Sequence, residues 1–307
     1  MARSLALPLA LAATLAAVGC GGTGNGSGGS GPKVVATTTV LGDLVRNVAG
    51  RAADVHQLLQ PNSDPHDYEP RPADVVATAG AKVVFASGDG LDGWIDEVAR
   101  ESGGHPRVLD VGARVPVKRA GGADGDVDPH WWQDPRNAEA AVATIRDALV
   151  RANPSARATY ARNAAAYLRR LRMLDAGVRT CMRAVPARER KLVTDHDAFG
   201  YFAARYRIAL VGAVIPSLTT QAQPSAGDLA ALVRTIRREH VSIVFSEHSV
   251  NAKLAQAIAH ETGARSDDSL YGDALGPAGS DGATYVAMVR HNAEAMVRGF
   301  GGGACSF

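Results

Sequence analysis

NPSARATYARNAAAYLRRLRMLDAGVRTCMRAV, residues 153–185, contains no strand signal from end to end. Asn153 stands at a capping position with Pro154 at the first helical place. Apolar residues then recur at helical spacing as far as Val185. At 1.5 Å per residue, some thirty residues of helix reach about 45 Å, longer than a typical domain helix. Gly177 is a point of local weakness in it. The flanks make the stretch decisive, because strands and helices alternate on both sides of it. A long helix set between two such patterns reads as a rigid connector.

Before it, KVVATTT (33–39), DVHQLLQ (54–60), KVVFASG (82–88) and RVLDVG (107–112) read as strands. LGDLVRNVAG (41–50) and LDGWIDEVARESGG (91–104) read as helices with glycine stops. After it, RKLVTDHDAF (190–199), IALVGAVI (208–215) and VSIVFSE (241–247) read as strands. SAGDLAALVRTIRREH (225–240), NAKLAQAIAHETG (251–263) and DGATYVAMVRHNAEAMVRGF (281–300) read as helices. The expected class is α/β, two Rossmann-like lobes with mostly parallel sheets. The first lobe should span 33–152, the connecting helix 153–185 and the second lobe 186–307.

A chain of 307 residues is long for one core, which agrees with two lobes. Hydrophobic residues make up 46% and the net charge is +2, with no basic stripe, so nucleic acid is not an expected partner. MARSLALPLALAATLAAVGC, residues 1–20, has one early Arg and an apolar run too short to remain in a membrane. It reads as a signal peptide over 1–19, and its LAAVGC ending resembles a bacterial lipobox with Cys20 as the lipidated residue. Alanine three places before that cysteine, instead of leucine, is an imperfect match. The Gly/Ser tract of 20–32 reads as a flexible tether. The body is therefore expected outside the cytoplasmic membrane, held by a lipid anchor. In that oxidising compartment Cys181 and Cys305 are expected to pair, the alternative being two unpaired thiols.

Asp-Pro-His occurs twice, at 64–66 and 128–130, in a chain with 9 histidines. Proline stiffens the backbone before each imidazole, which suits a metal ligand. In open α/β sheets ligands gather beyond the carboxyl ends of strands. The metal-capable side chains just after expected strands are His66, His130, His196 and Asp273, two on each side of the long helix. Asp64 and Asp128 read as turn caps or orienters of their neighbours. Glu247, ending a strand, is a candidate to accept a proton-bearing ligand nitrogen. His248 is weaker, and His56, His105, His240, His260 and His291 have no companion at ligand spacing. Trp131 and Trp132 are expected to wall the cleft.

VVATTTVLGDLVRNVAG, DPHDYEPRPAD, DPHWWQDPRNA, DHDAFGYFAARY and YGDALGPAGSDGATYVAMVRHN, in this order from about 33 to 300, resemble a known family. It is the cluster A-I solute-binding lipoproteins of bacterial ABC importers for zinc and manganese. The resemblance implies two α/β lobes joined by one helix, a metal in the cleft, an ABC permease as partner and no enzymatic activity. Its four ligand positions fall on His66, His130, His196 and Asp273. The third position is often Glu in manganese binders and is His196 here. Three imidazoles and one carboxylate suit tetrahedral Zn(II), whereas Mn(II) prefers more oxygen ligands. Zn(II) is the expected cargo, with Mn(II) or Fe(II) as alternatives. KRAGGADGDVD (118–128) lacks the His-rich loop of many zinc members and reads as a solvated acidic turn. A monomer is expected. A hydrolase would need an open metal position and a general base, and neither a His-Glu-x-x-His helix nor a Gly-x-Ser-x-Gly elbow is present. A surface adhesin is the third function class.

Overall fold

The computed structural model of the chain describes residues 1, 31–121, 126–305 and 307. The leader, Cys20 and most of the tether lie outside the described residues, as do 122–125 of the acidic segment. Among the described residues no helix is long and apolar enough to cross a membrane.

Strands β1 (Lys33–Ala36), β2 (Asp54–Gln57), β3 (Val83–Ala86) and β4 (Arg107–Asp110) form a parallel sheet in the order β2-β1-β3-β4. Helices α1 (Thr39–Ala49), α2 (Pro72–Ala79) and α3 (Ile95–Glu101) connect them. Parallel strands covered on both faces need continuous apolar runs. Val34, Val35, Val84 and Phe85 supply them and are fully buried. The Thr38 hydroxyl accepts from Leu41 N–H at 3.2 Å and starts α1, and Gly50 at φ 55° ends it. Val40, Leu41, Leu44, Val45 and Val48 form its buried stripe, each contributing roughly 1.5–3 kcal/mol. Toward the two ends of the acidic segment, β5 (Ala120–Gly121) pairs antiparallel with β6 (Asp126–Val127).

The helical centre differs from expectation at its start. Helix α4 (Pro135–Ala152) ends with the Asn153 N–H donating to the Leu149 carbonyl at 2.8 Å. Asn153 thus closes α4, because Pro154 has no N–H to continue the ladder, and it also stands at the N-cap of the following turn, without a side-chain cap hydrogen bond. Pro154–Ala156 form a 3-10 turn, and α5 (Arg157–Arg183) then runs 27 residues without a break at Gly177. The Phe307 ring lies against Gly177, where a Cβ would come within 2.6 Å of it.

Helix α5 is a packed strut. Tyr160, Ala164, Tyr167, Leu171, Leu174, Val178 and Cys181 are buried at alternating four- and three-residue steps. At its start the Tyr160 hydroxyl donates to the Ala52 carbonyl at 2.7 Å, in the first lobe. Near its end Asp175 accepts from Arg205 Nε at 2.9 Å and from the Tyr206 hydroxyl at 3.1 Å, in the second. Cys181 is joined to Cys305 by a disulfide, as expected from their compartment.

The second lobe holds β7 (Lys191–His196), α6 (Gly200–Tyr206), β8 (Ala209–Ile215), α7 (Ala226–Glu239), β9 (Ile243–Glu247), α8 (Lys253–Thr262), β10 (Arg265–Leu270) and α9 (Tyr285–Gly299). β7 pairs with β8 and β9 with β10, both parallel. β9 lies beside β7, so the strand order repeats that of the first lobe. The register of β10 shifts between Asp267 and Leu270, bringing Leu270 opposite Glu247. One apolar cluster runs from α1 through α4 and α5 to α9, so the lobes share a core.

Candidate metal centre

All four expected metal-ligating residues lie at carboxyl ends of strands or in loops beyond them. His66 sits in a 3-10 turn, Pro65–Asp67, after β2. The Asp64 carboxylate caps that turn, accepting from His66 N–H at 2.8 Å. Its other oxygen accepts from the Thr220 hydroxyl of the second lobe at 2.6 Å. His130 precedes the turn Trp131–Gln133 that leads into α4. Asp128 accepts from His130 N–H at 2.9 Å. His196 ends β7, and Asp195 accepts from both His196 N–H and Glu247 N–H at 2.8 Å. Asp273 follows β10, and the preceding Gly272 carbonyl accepts from the Trp132 indole and the Gln133 amide, both at 2.8 Å. Two donors from the first lobe therefore hold the loop that carries the carboxylate of the second.

His66, His130, His196 and Asp273 converge, with ligand atoms all within 4.8 Å of one another. His66 Nε2 lies 3.3 Å from His130 Nε2 and 3.4 Å from Asp273 Oδ2. His130 Nε2 lies 3.2 Å from Asp273 Oδ1, and His196 Nε2 3.2 Å from Asp273 Oδ2. His196 Nε2 and both Asp273 oxygens nevertheless have no hydrogen-bond partner among the described residues. His66 Nε2 and His130 Nε2 face one another at hydrogen-bond distance, while His196 Nε2 and the Asp273 carboxylate face the shared centre unpaired. A tetrahedral shell with bonds of about 2.0–2.1 Å has edges of about 3.3–3.4 Å, so the donors fit a cation. Because both Asp273 oxygens face imidazoles, the same cage also offers a fifth donor.

Two of the three imidazoles are oriented from behind. His130 Nδ1 lies 2.7 Å from Asp128 Oδ1, and His196 Nδ1 lies 3.0 Å from Glu247 Oε1 and 3.4 Å from Asp195 Oδ1. A carboxylate that takes the Nδ1 hydrogen leaves the Nε2 lone pair facing the cage. His130, His196, Asp273 and Glu247 are all buried. Without a cation, burial disfavours imidazolium at His130, but Asp273 and Asp128 outweigh it and push the group up to about 9. Burial likewise opposes charge on His196, yet Glu247 and Asp273 raise it well above the ordinary histidine value. Burial would raise Asp273, but His196 and His130 hold it well below the usual carboxylate range. Burial and then Asp195 push Glu247 up to about 8.

His66 alone among the four reaches solvent, its side chain 7% exposed. A cavity of about 460 Å³ opens onto it, bounded by Asp89, Leu91, Asp126, Pro129, Leu218 and Thr219. The Trp132 ring stands 5.5 Å from that of His130, and both tryptophans are buried. His248 stacks on Tyr271 at 4.4 Å, away from the cage. His240 closes α7 in a left-handed conformation. Sequence reasoning missed Asp195. The signal was available, since each converging histidine has an aspartate one or two residues before it.

The family described as zinc-uptake complex component A, periplasmic, matches residues 34–299. The chain belongs to that family. It is 31% identical to the manganese-binding lipoprotein MntA of Halalkalibacterium halodurans, over 93% of this chain and 94% of that protein. It is 32% identical to the iron-binding protein YfeA of Yersinia pestis, over 88% and 86%. The solved structure of the periplasmic zinc-binding protein TroA from Treponema pallidum superposes with a TM-score of 0.83 at 30% identity, covering 88% of this chain and 99% of that one. The two-lobed α/β fold is shared with it. Members of the family are substrate-binding proteins of ABC transporters, not enzymes. The relatives' names divide among manganese, iron and zinc.

Proposed function

We propose that this protein captures Zn(II) outside the cytoplasmic membrane with His66, His130, His196 and Asp273 and hands it to an ABC permease. In this reading the ion lies between a lobe of residues 33–152 and one of 186–307, bridged by 153–185. The observation that carries it is the buried cage of three Nε2 atoms and one carboxylate with edges of 3.2–3.4 Å. Four protein donors complete a zinc shell and leave no position for catalytic water. Three imidazoles favour zinc over manganese, which draws on harder oxygen donors. Glu247, Asp195 and Asp128 serve as the groups that hold the imidazole tautomers. Cys20 carries the lipid anchor, the 20–32 tract is the tether, and the protein works as a monomer.

The test is calorimetric titration of the metal-stripped protein with Zn(II) and Mn(II), beside His196→Glu and Asp273→Ala. Tight one-to-one zinc binding, weak manganese binding, loss of zinc in Asp273→Ala and a shift toward manganese in His196→Glu are expected. Tight manganese binding by the unaltered protein overturns the choice of metal. Zinc binding that survives Asp273→Ala overturns the ligand set.

A further inference from the structure

A second cavity, of about 430 Å³, lies at the other end of the second lobe. Its walls come from the end of α5, the segment entering β7, and the end of α6. Helices and strands run in opposite directions in this fold, so those ends face away from the strand tips that carry the cage. Arg179, Arg183, Arg190, Arg205 and Arg207 line it with Tyr206. Arg205 and Arg179 share Asp175, at 2.5 and 3.5 Å. Among the described residues Arg183, Arg190 and Arg207 have no carboxylate within 4.0 Å.

Arg190 is 8% exposed, and its Nε and Nη2 donate to the Val185 carbonyl at 2.9 and 2.7 Å. Its Nη1 donates to the Tyr206 carbonyl at 3.4 Å. It therefore ties together the carboxyl ends of two helices. Capping those ends accounts for part of the charge, but each helix terminus carries only about half an electron. Two termini balance roughly one guanidinium of the three that lack a carboxylate. Arg207 is held at φ 58°, the left-handed region that favours glycine. Its side chain lines the same hollow.

We propose that this cavity binds a phosphoryl anion. Planar guanidinium forks match phosphate oxygens two at a time, and the volume suits a group the size of a phosphate ester. The site is separate from the metal cage and goes beyond the transport reading, standing whether or not that reading holds. Either a free phosphate or the headgroup of an anionic lipid supplies such a group.

The full chain, with its metal bound, is titrated by calorimetry with inorganic phosphate. A parallel titration uses glycerophosphoglycerol, the soluble headgroup of phosphatidylglycerol. Arg183→Ala/Arg207→Ala is run alongside, since both side chains are exposed and their removal leaves the core intact. One-to-one binding that weakens with added salt, and by at least about tenfold in the double variant, is expected. Binding of both probes assigns the lipid headgroup as the source, and binding of phosphate alone assigns the free anion. No binding of either probe, or equal binding by the double variant with its metal content unchanged, overturns the proposal.

Discussion

Take the metal-free protein from about pH 6 to about pH 9.5, through the range in which its cage loses protons. His130 is raised from 6.5 to about 9 in the fold, so its protonated form is favoured there by two and a half pH units, about 3 kcal/mol. The group is fully buried, so solvent does not screen this contribution. Because the folded value is the higher one, the stabilisation is complete below about 6.5 and disappears as pH rises through about 9. Glu247, at about 8, acts in the same sense, since its ionisation in the fold is opposed. The metal-free protein should therefore melt at lower temperature as pH rises across this window. Metal capture runs the other way. At about pH 7 an ion must displace nearly a full proton from His130, a competition of about a hundredfold. His196, also raised, adds to it. Calorimetry at neutral pH in two buffers of different protonation enthalpy counts the protons directly. At least one proton released per ion, with affinity rising at least tenfold per pH unit, is expected. Release of no proton, together with a melting temperature that is flat across the window, would refute the claim that Asp273 and Asp128 hold His130 protonated before the ion arrives.

Three further outcomes follow from contacts already described. Asp128→Asn removes the carboxylate 2.7 Å from His130 Nδ1 and should weaken zinc binding about 10- to 100-fold in a direct titration. In Gly272→Ala, a Cβ would fall 1.8 Å from Glu247 Oε2. Either the Glu247 carboxylate behind His196 Nδ1 or the Asp273 loop must then shift, and metal affinity should drop while circular dichroism of the helices stays unchanged. Cys305→Ser opens a loop closed over a separation of 124 residues, worth up to about 5 kcal/mol by chain entropy. Denaturant unfolding should report a loss of that order or smaller, with metal stoichiometry unaltered.

Much of the fold was legible because parallel strands buried on both faces must be apolar throughout, as in Val83 to Ala86. The cage residues were legible as positions because Asp-Pro stiffens the approach to His66 and His130, and His196 closes an apolar strand. Their convergence was not legible, since it depends on the Gly272 carbonyl being gripped by Trp132 and Gln133 from the other lobe. Asparagine before proline marked the start at Asn153, but nothing in the sequence told that the first turn would be 3-10 or that the same residue closes α4. The pairing of β5 with β6 left no sequence signal, since each strand is two residues long. The role of α5 as a rigid connector was legible, whereas the contacts that fix it to each lobe, Tyr160 to Ala52 and Asp175 to Arg205, were not.

The segment after Asp273 has a consequence for timing. The Leu275 N–H donates to Thr39 at 2.8 Å, and its carbonyl accepts from Asn62 N–H at 3.0 Å. The Tyr285 hydroxyl donates to the Trp132 carbonyl at 2.6 Å, so the second lobe is stitched to the first on both sides of the loop. A swing of whole lobes would break all of these buried bonds together, whereas a displacement of His66 breaks none of them. Loosening at His66, the ligand that reaches solvent, therefore comes earlier in any opening than a parting of the lobes, and it leaves the joint between them intact.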